Sequence, residues 1–245
     1  MPFAELRYFS DALQKHTSVN LILPDPKLKG PFPVMFLLHG LSDDHSIWMR
    51  RTSIERYCDG LPLIVAMPDG GRGFYLDAVD GFAYETALSR ELPEVLRNWL
   101  PTTDRWCVTG LSMGGYGAVR FALRRPELFV SAHSHSGAMG FGHGTVLPDR
   151  PESREFERLI GPSPAGSDYD LFALAERLAP EERPKLRLDC GTEDFLLEAN
   201  RAFHRHLQAL GFDHEYEEFP GTHEWSYWDL HVREALEFHR RNLGF

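Results

Sequence analysis

The sequence predicts an α/β fold: a doubly wound, mostly parallel sheet with helices on both faces. Short apolar runs alternate along the chain with longer amphipathic segments, the order that lays crossover helices over a parallel sheet. The apolar runs are near-continuous rather than alternating, as strands covered on both faces require. At 245 residues, 42% hydrophobic and 25% charged, the chain has the apolar surface for a sizeable core without disulfide or metal support. The expectation is a single domain over residues 1–245.

Phe3 to Phe9 and Ser18 to Leu23 read as an antiparallel edge hairpin. Val34-Met35-Phe36-Leu37-Leu38 is the first buried strand, and the polar loop His39 to Asp44 follows it. Leu63 to Met67 is the second, stopped by Pro68-Asp69-Gly70-Gly71. Tyr84 to Trp99 carries Leu88, Leu92, Val95, Leu96 and Trp99 near helical spacing. Trp106-Cys107-Val108 leads into Gly110, and a helical pattern runs from Gly115 to Leu123. Phe129 to His133, Leu186 to Cys190 and His214 to Phe219 complete the strands. Phe195 to Leu210 and Trp225 to Leu243 complete the helices, with Gly211 a stop for the first of these. Residues 137–185 are too long for a simple crossover and read as a small insertion over one end of the sheet, either a lid or irregular packing. Within it, short helices are expected over Arg154 to Ile160 and Tyr169 to Ala179.

With 26 basic and 36 acidic residues the net charge is −10, which disfavours a nucleic-acid partner. The apolar runs fall far short of the roughly 20 residues a membrane span needs. Met1 to Glu5 lacks the basic start and apolar core of a secretory signal. Cys58, Cys107 and Cys190 cannot all pair within the chain, and no Cys/His spacing suggests zinc. A reducing, cytoplasmic setting is expected, and the chain is compatible with a homo-oligomer.

Gly110-Leu111-Ser112-Met113-Gly114 is a G-x-S-x-G pentapeptide between a buried strand and a helix. A nucleophile projected from so sharp a turn needs small residues two before and two after it, and Gly110 and Gly114 meet that demand. Gly115 and Gly117 allow close packing of the helix. A serine hydroxyl needs a base, and in this arrangement an acid and then a histidine follow from loops after later strands. Asp194, after the fifth buried run, and His223, after the sixth, stand in that order. Of the neighbouring acids, Glu193 reads as solvated and Asp189 as pointing away from, or lying below, the sheet edge. An oxyanion would be bound by the N–H of Met113, at a helix N-terminus, and by that of Leu41 in the loop after the first buried strand. Trp48, Phe195 and Trp225, with Met113, are candidates for an apolar acyl pocket, the alternative being core packing.

The other histidines carry weaker readings. His204 and His206 do not share a helix face. His133 and His135 share a strand face but have no third ligand nearby in sequence. His231 and His239 read as helix-surface or partly buried. Neither a metal nor an organic cofactor is expected.

Leu38-His39-Gly40-Leu41-Ser42, Ala66-Met67-Pro68-Asp69, the elbow from Gly110 to Ala118, Cys190-Gly191-Thr192-Glu193-Asp194 and His223-Glu224-Trp225 together resemble the esterase D family of α/β-hydrolases. That family includes S-formylglutathione hydrolases, tributyrin-type esterases, feruloyl esterases and mycolyltransferases. The resemblance covers nearly the whole chain and is nearest to the tributyrin-type carboxylesterases. It implies an α/β-hydrolase fold, with the insertion at the active-site end, and a cofactor-free serine carboxylesterase. Short- to medium-chain acyl esters would be the small-molecule substrates. S-formylglutathione hydrolases usually carry cysteine in the loop after His-Gly, the neighbourhood of Ser42 here, and histidine where Leu111 stands, which weighs against a glutathione thioester. A thioesterase and an acyltransferase on the same triad remain the alternatives. A fold retained only for binding would lack a triad member, and here all three are present.

Overall fold

The computed structural model describes residues 1–144 and 153–245. The strands are β1 Phe3–Ser10, β2 Lys15–Ile22, β3 Val34–Leu38, β4 Ile64–Pro68, β5 Trp106–Leu111, β6 Phe129–His135, β7 Lys185–Gly191 and β8 His214–Phe219. They form one eight-stranded sheet in the order β1-β2-β4-β3-β5-β6-β7-β8. β1–β2 and β2–β4 pair antiparallel and every other neighbour is parallel, so the expected edge hairpin is present.

The helices are α1 Ile47–Arg51, α2 Ile54–Tyr57, α3 Tyr84–Thr86, α4 Leu92–Trp99, α5 Met113–Arg124, α6 Ser153–Ile160, α7 Leu171–Arg177, α8 Leu197–Ala209 and α9 Trp225–Leu243. A π-helical turn, Ala87–Glu91, joins α3 to α4, where the sequence pattern suggested one unbroken helix. Glu91 at the end of that turn accepts hydrogen bonds from Ser10 Oγ and the Ala12 N–H, which ties the helix to the β1–β2 turn. α1 and α2 were not legible, because helices of five and four residues are too short to display a 3.6-residue period.

Alternate residues of one strand enter two different cores, which explains the continuous apolar runs. Val34, Phe36 and Leu38 face a cluster with Leu88, Leu92, Val119, Phe121, Phe203 and Leu207. Met35 and Leu37 face the other, with Trp48, Ile54, Trp228, Val232 and Leu236. α4, α5 and α8 therefore cover one face, and α1, α2 and α9 the other.

Within the insertion, α6 and α7 occupy the two expected helical stretches, while residues 145–152 of that expected segment lie outside the described residues. Phe156 of α6 packs edge-on against Phe74 and Phe141, and Arg72 grips Glu155 with two hydrogen bonds of 2.7 Å. α6 is thus docked on the loop that follows β4. Among the described residues no helix is long and apolar enough to cross a membrane.

Chain direction positions the site. From β3 the chain moves to β4 on one side, then returns to β5 on the other. The carboxyl ends of β3 and β5 therefore flank a topological switch point, where open α/β sheets leave a crevice for ligands.

Candidate active site

Ser112 sits between the end of β5 and the start of α5 with φ 54° and ψ −116°. A serine adopts this left-handed backbone only where its surroundings enforce it. The enforcement is visible in its neighbours. A Cβ at Gly110 would lie 2.2 Å from the Gly114 carbonyl oxygen, and one at Gly114 would lie 2.5 Å from that of Leu38. The expectation that both positions must be small therefore holds in atomic detail. The Ser112 N–H donates to His135 O (3.0 Å) and its carbonyl accepts from the Ala138 N–H (3.0 Å), so the turn is tied to the end of β6 on both sides. Gly115 and Gly117 let α5 settle: a Cβ there would meet Ser134 Oγ at 2.4 Å and the Tyr75 ring at 2.4 Å.

The loop after β3 comes alongside. A Cβ at Gly40 would lie 2.8 Å from Leu111 Cδ1 and 3.9 Å from Ser112 Cβ. His39, fully buried, organises this loop. The Gly70 N–H donates to its Nε2 (2.9 Å), so Nε2 is the bare nitrogen. Nδ1 then carries the hydrogen and donates to Gly40 O (2.7 Å). The Gly40 carbonyl and the Leu41 N–H belong to one planar peptide and point in opposite directions. By holding the carbonyl, His39 turns the Leu41 N–H the other way. Neither the Leu41 nor the Met113 N–H bonds to another group among the described residues. His39 was missed at the sequence level as anything but part of the His-Gly turn. Its place beside Gly40 was the available signal.

Asp194 and His223 come from the loops after β7 and β8, and the two loops are fastened to each other. The Thr192 N–H donates to Phe219 O (2.8 Å) and the Glu193 N–H to Gly221 O (3.0 Å). His223 Nδ1 and Asp194 Oδ2 are 2.8 Å apart, and the Leu196 N–H donates to Asp194 Oδ1 (2.8 Å). The carboxylate is buried while the imidazole edge reaches solvent. Burial by itself would raise the Asp194 carboxyl, but hydrogen bonds from His223 and the Leu196 N–H outweigh it and hold the group below the usual carboxylate range. The imidazole is flanked by Phe195, ring centroids 4.6 Å apart, and by Trp228, edge-on at 4.9 Å. Ser112 Oγ and His223 share no hydrogen bond in this structure.

The candidate pocket residues divide. Phe195 is 69% exposed beside His223, and Trp225 is half-buried next to Trp228 at 5.2 Å. Trp48 and Met113 are fully buried, and the Trp48 indole N–H donates to Leu38 O (3.1 Å), supporting the end of β3. A cavity of about 520 Å³ lined by Phe32, Pro33, Pro62, Thr103, Asp104 and Phe245 lies elsewhere. Apart from Phe245, which follows α9, these residues precede β3, β4 and β5, at the opposite ends of the strands from Ser112.

The sequence reading of Asp189 is corrected. Asp189 is fully buried, with its Oδ2 2.5 Å from His133 Nε2 and 2.7 Å from His135 Nδ1. Its Oδ1 accepts from the Tyr227 hydroxyl (2.9 Å). β6 and β7 run parallel with His135 opposite Asp189, so the third group that His133 and His135 lacked in sequence lies one strand away. These three are metal-ligating types within reach of one another, and the nitrogens nearest the carboxylate are taken up in bonds to it. Burial pushes the His133 imidazole down to about 3, with repulsion from His135 adding to it and Asp189 opposing. Contacts with both imidazoles overcome burial at Asp189 and keep it anionic. His231 and His239 are also buried, not at a helix surface, and His239 bridges Thr109 Oγ1 and Ser131 Oγ at 2.8 Å each.

Known proteins resemble this chain over nearly its whole length. Residues 10–239 match the Esterase family. An acetyl esterase of Caldicellulosiruptor saccharolyticus is 29% identical over 97% of this chain and 98% of its own. A fluorophosphonate-binding serine hydrolase of Staphylococcus aureus, FphF, superposes with a TM-score of 0.88 at 29% identity, covering 97% of each chain. An S-formylglutathione hydrolase of the same organism, FrmB, superposes with a TM-score of 0.85 at 29% identity, covering 97% of this chain and 98% of that one.

Proposed function

The chain belongs to the Esterase family of α/β-hydrolases and is a serine hydrolase of carboxylic esters; from that premise we propose that it cleaves short- to medium-chain acyl esters through an acyl-enzyme on Ser112. The observation that carries the reading is the enforced backbone of Ser112, which offers its hydroxyl at the switch-point crevice. Ser112 Oγ attacks the ester carbonyl carbon. His223, bound to Asp194 through Nδ1, takes the serine proton on Nε2. The carbonyl oxygen, now negative, is held by the N–H groups of Leu41 and Met113. The same Nε2 proton passes to the leaving alcohol as the tetrahedral intermediate collapses. Water then attacks the acyl group, with His223 again as base, and releases the acid and free Ser112. Asp194 keeps the imidazole oriented and stabilises its charged form.

Phe195 and Trp225, the two aromatic groups near His223 that reach solvent, are the proposed apolar wall of the substrate site. A short acyl group is supported by the acetyl esterase relative. The structural likeness to an S-formylglutathione hydrolase at the same 29% identity favours a thioester as the second reading, against which Ser42 and Leu111 stand. The three free, buried cysteines support a cytoplasmic setting.

Initial rates on p-nitrophenyl esters from C2 to C12, beside a glutathione thioester, test the proposal. Fast turnover of C2 to C6 esters is expected, with Ser112→Ala lowering kcat by at least about 10⁴-fold. Rapid thioester cleavage with slow ester hydrolysis would replace it with the second reading. A Ser112→Ala enzyme retaining most of its rate would remove the nucleophile assignment.

A further inference from the structure

β1 is the outermost strand of the sheet. The Leu23 N–H donates to Pro2 O, and the Asp69 N–H to Ser18 O. Along β2, odd-numbered residues therefore turn their backbone groups toward β1 and even-numbered ones toward β4. In the β1–β2 register, Ala4 pairs with Leu21, Leu6 with Val19 and Tyr8 with Thr17. Even-numbered residues of β1 thus spend their N–H and C=O groups on β2. Phe3, Glu5, Arg7 and Phe9 turn theirs outward from the sheet.

The side chains of the same four residues make the exposed face of β1, while Ala4, Leu6 and Tyr8 pack on the core. Phe3 and Phe9 are 49% and 51% exposed. Arg7 Nε donates to Glu5 Oε1 (2.8 Å) between them. The order along the strand is aromatic, acidic, basic, aromatic.

That order is complementary to itself. When two β1 strands run antiparallel about a two-fold axis at Leu6, Phe3 faces Phe9 and Glu5 faces Arg7, in both directions. All four positions carry outward-facing backbone groups, so each facing pair can exchange two hydrogen bonds. A slip by two residues one way sets Glu5 against Glu5, and the other way Arg7 against Arg7, both repulsive. A slip by one residue sets outward-facing groups against inward-facing ones.

We propose that β1 is a dimerisation edge that pairs with β1 of a second copy of this chain, fusing two eight-stranded sheets into one across the axis at Leu6. The crossed Glu5–Arg7 pairs fix the register, and the two Phe3–Phe9 pairs close its ends. Isologous pairing of this kind is closed and leaves no further β1 edge, whereas charges placed only to blunt an edge would keep the chain monomeric.

Sedimentation equilibrium across a concentration series tests this on the intact protein, with Glu5→Arg, Arg7→Glu and the double exchange, each checked for unchanged ester hydrolysis as a sign of folding. The wild type is expected at twice the 28.0 kDa chain mass. Each single reversal should weaken the dimer at least about tenfold, and the double exchange should restore it. A wild type that stays monomeric at high micromolar concentration overturns the proposal. So does a dimer indifferent to both single reversals, or one that the double exchange fails to restore. Should a single reversal reduce hydrolysis, Arg7→Pro serves instead, since it removes an outward N–H and no bond to β2, and a dimer unaffected by it overturns the proposal equally.

Discussion

At residue scale the site depends on two side chains that never need to touch a substrate carbonyl directly. One is the hydrogen atom that stands for a side chain at Gly114, where a Cβ would press on the Leu38 carbonyl at 2.5 Å. The other is the His39 imidazole, whose two ring nitrogens clamp Gly70 N–H and Gly40 O and so aim the Leu41 N–H. Removing the His39 ring frees the peptide between Gly40 and Leu41 to rotate. His39→Ala is expected to lower kcat by about 10²-fold, the scale of one oxyanion donor, with a smaller change in KM. Steady-state kinetics on a short-chain ester checks this. An unchanged kcat would mean that the loop holds its orientation without the imidazole.

At the scale of elements, Asp194 and His223 meet because two loops touch. β7 and β8 are parallel neighbours, with Gly191 opposite Phe219, so their carboxyl ends release the chain at the same level of the sheet. A Cβ on Gly191 would stand 2.3 Å from the Gly221 carbonyl oxygen, and backbone cannot yield as a flexible side chain can. Gly191→Ala should therefore push the loops apart and lengthen the 2.8 Å bond between His223 and Asp194. The expected result is a loss of kcat of at least tenfold together with destabilisation of about 1–3 kcal/mol. Chemical denaturation beside kinetics measures both. Wild-type behaviour in both would show that the loops are not coupled through this contact.

At the scale of the whole molecule, acid weakens the fold through its buried imidazoles. His133 is pushed down to about 3 and His239 well below its ordinary value, each chiefly by burial. In the unfolded chain both would titrate near 6.5. Below about 6.5 the unfolded state takes up protons at these positions that the folded state refuses, so stability falls as pH drops toward 3. The depressed carboxyls Asp189 and Asp194 act in the same direction: their stabilisation is present above about 4 and is lost below it. The melting temperature is expected to fall steadily between pH 7 and pH 4, which scanning calorimetry would record. A level Tm over that range would contradict the assignment of buried, uncharged imidazoles.

The chain's own order determined the fold class, all eight strands to within a few residues, and the succession of Ser112, Asp194 and His223. These were legible because each follows from local pattern: continuous apolar runs, helical spacing, and glycines set about a serine. The π-helical turn at Ala87–Glu91, the roles of His39 and Asp189, and the burial of Trp48 and His239 were decided only by tertiary structure. Each of these depends on a partner distant in sequence. Asp189 stands 54 positions beyond His135, and its pairing register with β6 places them side by side. Most buried polar atoms find a hydrogen-bond partner, and only the folded sheet decides which one is within reach.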